Sequence, residues 1–102
     1  MTIDPQKYVE FVRQTTSQPS LDYPTLAARL SELEVRDDCN VPQLLTAALG
    51  ISAEAGEFTE VVKKIFLQGK PYNEDNAFHM KRELGDIMWY VAQACMALDI
   101  SI

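Results

Sequence analysis

Glu54-Ala55-Gly56-Glu57 and Glu83-Leu84-Gly85-Asp86 place two acidic pairs at the same three-residue step, each inside a stretch whose apolar spacing is helical. Residues three apart share a helix face, so each stretch offers two carboxylates in one direction. Packing the two helices together brings four into one place. Like charges about 4 Å apart repel by roughly 4 kcal/mol at an effective dielectric of 20. Four converging carboxylates therefore call for a cation, and a hard divalent ion such as magnesium, bound through oxygen, is the natural one.

The elements that position these acids follow from caps and periodicity. A first helix is expected from about Pro5 to Thr16, with Asp4 as N-cap, Pro5 at the first helical position and Tyr8, Phe11 and Val12 as its apolar stripe. Ser17-Gln18-Pro19-Ser20 reads as a turn-rich break. Pro24 then opens a second short helix carrying Leu26, Ala27, Leu30 and Leu33 to about Val35. Asp37-Asp38-Cys39-Asn40 reads as a loop whose last residue can cap the next helix. From about Val41 to Leu67, Leu44, Leu45, Ala48, Leu49, Ser52, Ala55, Phe58, Val62, Ile65 and Phe66 recur every three or four positions. Gly50 and Gly56 interrupt this helix at about 1 kcal/mol each relative to alanine; close approach by a neighbour and simple tolerance are both open explanations. Gln68-Gly69-Lys70-Pro71 ends it. A final helix is expected from about Glu74 to Leu98, with Leu84, Ile87, Met88, Val91, Cys95 and Leu98 as its stripe. No segment alternates with period two for long enough to read as a strand.

At about 100° per residue, Glu54 and Glu57 lie on the arc that also holds Ile51, Phe58, Val61 and Ile65, whereas Glu60 points away toward solvent with Lys64 as its i, i+4 partner. Glu83 and Asp86 share a stripe with His79 and Tyr90, immediately beside the apolar seam. An antiparallel hairpin of the two helices would set the pairs at matching heights. Glu57 lies about ten residues before the end of its helix, and Glu83 about ten after the start of the next.

With 15 acidic and 9 basic residues in 102 and a formal charge of -6, the chain lacks the basic patch that a bare nucleic-acid polymer requires. No apolar run approaches the roughly 18 residues of a membrane span, and the N-terminus has no basic flank or apolar segment of a targeting signal. The expectation is a cytoplasmic protein without a membrane partner. Cys39 and Cys95 are not spaced as a zinc site or a disulfide framework, so both are expected as reduced thiols, Cys95 buried.

Glu54-Ala55-Gly56-Glu57, then 25 intervening residues (58 to 82), then Glu83-Leu84-Gly85-Asp86 and Ile87-Met88-Trp89-Tyr90, resembles the E-x-x-E and E-x-x-D signature of the MazG-like nucleoside triphosphate pyrophosphohydrolases. Leu49-Gly50-Ile51-Ser52 before the first pair, Val61-Val62-Lys63-Lys64 after it and Arg82 before the second extend the likeness over roughly Leu44 to Leu98. The resemblance implies an all-α helical bundle built on a long antiparallel helix hairpin preceded by two short helices, completed as a homodimer or homotetramer. It implies hydrolysis of nucleoside triphosphates to monophosphate and pyrophosphate, in house-cleaning or control of the nucleotide pool. It makes Glu54, Glu57, Glu83 and Asp86 the catalytic and metal-binding residues for Mg²⁺, with Mn²⁺ as a substitute.

Around these acids, Lys63, Lys64, Lys70 and Arg82 are candidates for phosphate contacts or plain surface cations. Trp89 and Tyr90 are candidates for nucleotide contact or for packing, and His79 for support of Glu83. Relatives commonly continue past the Trp-Tyr helix into a segment with an Asn and a Lys…Arg pattern, whereas this sequence closes at Asp99-Ile100-Ser101-Ile102. The expectation is a single MazG-like domain, 1–102, without that tail. A metal-binding helical assembly or regulatory module impaired in turnover is the competing function. A di-iron carboxylate bundle is a third, but it calls for Glu-x-x-His pairs, and positions 57 and 86 are Glu and Asp.

Overall fold

Side-chain caps start four of the five helices in the computed structural model, which describes residues 2–102. Asp4 accepts from the N–H groups of Gln6 and Lys7 at 3.0 and 3.3 Å and opens α1, Pro5–Thr15. Asp22 accepts from the Thr25 N–H and hydroxyl and opens α3, Tyr23–Asp37. Asn40 accepts from the Gln43 N–H at 3.2 Å and opens α4, Val41–Leu67. Asn73 accepts from the Asn76 N–H at 2.9 Å and opens α5, Glu74–Ala97. Each cap supplies an acceptor for one of the N–H groups that the first turn leaves without an intrahelical partner.

The expected break at 17–20 is instead one turn of helix, α2, Gln18–Leu21. Ser17 stands extended at its N-cap, Pro19 occupies its first turn, and the Ser20 N–H returns to the Ser17 carbonyl at 3.0 Å. Pro and Ser favour helix starts as well as turns, which is why composition alone reads either way. No strand occurs among the described residues, and the fold is all-α.

The chain separates into two compact units, one ending at Cys39 and one running from Asn40 to Ile102. In the first, α2 packs on α3, and α3 stops where Asp38 takes a left-handed conformation, φ 54°, while the Cys39 N–H bonds the Leu33 carbonyl at 3.1 Å. The second is the α4–α5 hairpin. Its turn depends on Gly69, whose φ of +78° suits a residue without Cβ. The Lys70 N–H there reaches back to the Lys64 carbonyl at 3.0 Å.

The hairpin is antiparallel and its register can be read from three levels. Gln43 Nε2 donates to Gln93 Oε1 at 2.9 Å near the open end, Tyr90 lies against Gly50, and Glu54 and Glu57 meet Glu83 further along. A Cβ on Gly50 would stand 2.0 Å from Tyr90 Cδ1, so glycine here is a requirement of helix contact. At Gly56 a Cβ would meet nothing within 4 Å, and that glycine is merely tolerated.

The expected α5 stripe is met in part, with Ile87, Val91 and Cys95 half-buried. Leu84, Met88 and Leu98 are exposed, Met88 at 51%, while Glu83, at 2%, is a buried side chain. On α4, likewise, Leu45, Leu49 and Phe66 are exposed, and Ala47, Gly50 and Val61 are the buried positions. The small residues Ala47 and Gly50 let the helices approach. The covered arc of α4 carries Ile51, Phe58, Val61 and Ile65 beside Glu54, as its helical face predicted, while Leu45, Leu49, Leu84 and Met88 point outward. Cys39 and Cys95 are free thiols, both half-buried, so Cys95 is less enclosed than its place in the stripe predicted. No helix among the described residues is long and apolar enough to cross a membrane.

Candidate metal and nucleotide site

Three of the four predicted acids converge. One carboxylate oxygen from each of Glu54, Glu57 and Glu83 lies within 4.8 Å of the other two. Their surroundings differ: Glu83 is buried, Glu54 half-buried and Glu57 exposed. Asp86, one turn beyond Glu83, is outside that triad and borders a hollow of about 340 Å³ with Glu54, Trp89 and Tyr90. The heights match because the register set by Gly50 and Tyr90 carries through α4 and α5, two helices without an internal break.

The electrostatics of the triad are those of carboxylates crowded out of water. Glu54 is pushed up to about 7 by the hydrogen bond it shares with Glu83, by burial, and by the negative charges of Glu57, Glu83 and Asp86. Glu83 moves the other way: the hydrogen bond from Glu54 holds its carboxyl below the usual range despite burial, helped by Glu57, His79 and Arg82. The hydrogen bond thus favours the proton on Glu54 and the charge on Glu83. Even so, Glu54 Oε2 and Glu83 Oε2 are both buried without a hydrogen-bond partner.

A buried acceptor left unpaired costs about 1–3 kcal/mol, and more when charged. Two such oxygens, on acids that cluster with Glu57, fit a hard cation with oxygen ligands. Donors of this type suit Mg²⁺ or Mn²⁺ better than a softer ion that prefers thiolate or imidazole.

The remaining candidates fall into three groups. Lys63 and Lys64 pair with Glu60 at 3.2 and 3.8 Å, which puts Glu60 in a half-exposed charge cluster of its own, as its helical face predicted. Such pairs contribute about 0–1 kcal/mol. Lys64 also borders, with Lys70, Asn73, Asp75, Asn76 and His79, a second hollow of about 350 Å³ near the hairpin turn. The charge of Arg82 favours ionised Glu83.

Tyr90 packs on Gly50 and meets the Trp89 ring edge to face, with centroids 5.0 Å apart and planes at 86°. Trp89 itself is exposed at 56%. His79 reaches Glu83, the acid it was a candidate to support, with Nε2 3.3 Å from Glu83 Oε1. The i, i+4 spacing on α5 was the available signal for that contact.

Comparison with known proteins finds matches over the hairpin. A family model for the MazG nucleotide pyrophosphohydrolase domain matches residues 43–102. The Gene 37 protein of Mycobacterium phage L5 is 41% identical over 66 residues, a stretch that covers 62% of this chain and 57% of that protein. No solved structure matches. Since the matched domain takes in more than half of the sequence and both acidic pairs, the chain belongs to the MazG nucleotide pyrophosphohydrolase family.

Proposed function

We propose that this protein hydrolyses nucleoside triphosphates, (d)NTPs, to nucleoside monophosphate and pyrophosphate in a Mg²⁺-dependent reaction, serving house-cleaning or control of the cytoplasmic nucleotide pool. The observation that carries the reading is buried Glu83, whose Oε2 lacks a partner beside Glu54 and Glu57 in the hairpin seam. Family membership supports the reaction class.

Glu54, Glu57 and Glu83 hold the ion, with Asp86 one turn away on the side of the aromatic hollow. When bound, the ion supplies charge neutralisation for phosphate oxygens and acidification of a water. The chain's own part is positioning. Glu83 is fixed by burial, while exposed Glu57 leaves the triad open to a triphosphate entering from solvent. A carboxylate oxygen of the cluster not engaged with the ion accepts the proton of the attacking water. Lys64 and Lys70 offer charge to the phosphate chain, with Lys63 and Arg82 as outer cations, and Trp89 and Tyr90 offer ring faces to the nucleoside end.

A homodimer or homotetramer is part of the same proposal. Leu49, exposed at 64%, together with Leu45, Leu84 and Met88, makes outward apolar faces of the kind that a second helical pair buries. A strictly monomeric species in light scattering at micromolar concentration would contradict this.

The activity is tested with a panel of nucleoside triphosphates and Mg²⁺, monitoring pyrophosphate and monophosphate. Release is expected for at least one substrate and should stop when the metal is chelated. Tight divalent-ion binding without turnover on any triphosphate would sink the enzyme reading and leave a regulatory metal-binding module.

A further inference from the structure

His79 reaches Glu83 from the preceding turn of α5, its Nε2 3.3 Å from Glu83 Oε1. The two groups stand in different surroundings: the imidazole is 47% exposed and the carboxylate 2%. One oxygen of the buried acid is thereby engaged, and the other, Oε2, is left buried and unpartnered. The terminal torsion of a glutamate is broad and roughly two-fold. A donor anchored on Oε1 therefore selects the plane in which Oε2 lies.

As a stabilising ion pair, a contact with one partner half in water contributes little. As an orienting contact it acts on the one acid of the triad that has no solvent to turn toward. Ligating side chains elsewhere are commonly held this way by hydrogen bonds from groups that do not touch the metal.

We propose that His79 is a positioning residue, whose Nε2–H holds Glu83 Oε1 so that Oε2 faces the divalent ion shared with Glu54 and Glu57. The inference rests on the metal site proposed above. Because both residues lie on one helix at i, i+4 spacing, the arrangement depends on α5 alone. The competing role comes from the hollow that His79 borders with Lys64 and Lys70. There the imidazole would touch substrate directly and leave ion affinity unchanged.

The test is Mg²⁺ and Mn²⁺ titration by calorimetry without nucleotide, on wild type, His79→Ala and His79→Gln, with helix content followed by circular dichroism. His79→Ala is expected to bind either ion about tenfold or more weakly. Its deficit in turnover should shrink as Mg²⁺ is raised. His79→Gln, whose amide can donate to the same oxygen, is expected to recover most of the affinity. Wild-type affinity in His79→Ala, with only KM for nucleotide raised, overturns the positioning role in favour of substrate contact. Equal weakening in both variants overturns the hydrogen bond as its cause. Failure of the wild type to bind any divalent ion overturns the metal site itself, an outcome distinct from the other two.

Discussion

The α4–α5 seam has two halves built to opposite rules. Toward its open end, Ala47 and Gly50 let the helices close, Tyr90 fills the space over Gly50, and Gln43 and Gln93 satisfy one another. Toward the turn, the same two helices bring Glu54, Glu57 and Glu83 together and leave two carboxylate oxygens unpaired. The first half is complementary and holds register; the second is frustrated and waits for a ligand. Burial without satisfaction is destabilising where it stands, and it persists because the adjacent half determines the geometry. The contrast locates stability and chemistry on neighbouring turns of the same helices.

The strongest way to break this division is Glu83→Gln. It keeps the shape of the side chain and removes the charge from the most buried member of the triad. Metal-assisted charge stabilisation is worth several kcal/mol, and about 1.4 kcal/mol is tenfold in rate. Pyrophosphate release should therefore fall on the order of 10²-fold or more. The melting temperature in chelator should fall modestly, because the fold favours ionised Glu83 through the hydrogen bond from Glu54 and the charges of His79 and Arg82. Full activity in this variant would show that the frustrated half is not where the chemistry occurs.

A pair of glycine substitutions tests the complementary half. In Gly50→Ala the new methyl would stand 2.0 Å from the Tyr90 ring, and overpacking of this kind costs about 1–3 kcal/mol, outweighing the gain in helix propensity. Gly56→Ala meets nothing within 4 Å and should stabilise by up to about 1 kcal/mol. Urea denaturation should give opposite signs. If both substitutions stabilise, Tyr90 is not what holds the register.

The smallest expected effect sharpens the electrostatic side. Glu54 has its folded pKa raised from 4.5 to about 7, so the folded protein retains a proton that the unfolded chain has lost. Its contribution to stability is fully present below 4.5 and disappears as pH rises through about 7. Thermal melts in chelator across pH 4.5 to 7.5 should reveal that decline. Mg²⁺ competes with the same proton, so its affinity should increase from pH 6 to pH 8, with proton release on binding at the lower pH. A pH-independent affinity over that range would show that Glu54 is not a ligand.

Local structure was legible in the chain to a high degree, for reasons that are themselves local. Asn40 and Gly69 bound α4 at Val41–Leu67, as caps and breakers predict, and Asp4 and Pro5 start α1 in the same way. Gln18–Leu21 was misread because a Ser-Pro stretch serves equally as a turn or as the first turn of a helix. Among the site residues, the separation of Glu60 from Glu54 and Glu57 follows from 100° per residue, and Glu60 does pair with Lys63 and Lys64. Which stripe of α5 faces α4 was not legible. Periodicity marks Leu84 and Met88 as one apolar face and Glu83 as the edge of another, but it does not say which face a neighbour covers.

By itself, the sequence determined the helices, the two E-x-x-E/D pairs, their spacing along the chain and the family to which that pattern belongs. Those are properties of neighbours within a few turns, written in caps, breakers and the 3.6-residue period. The tertiary structure alone decided that the acid-bearing stripe lies inside the hairpin, that Gly50 and not Gly56 is a point of contact, and that Asp86 stands apart from the other three carboxylates. It also made Glu83 the most enclosed of them. These depend on how closely two helices approach and at what rotation, which is set by the small residues and the ring packed between them.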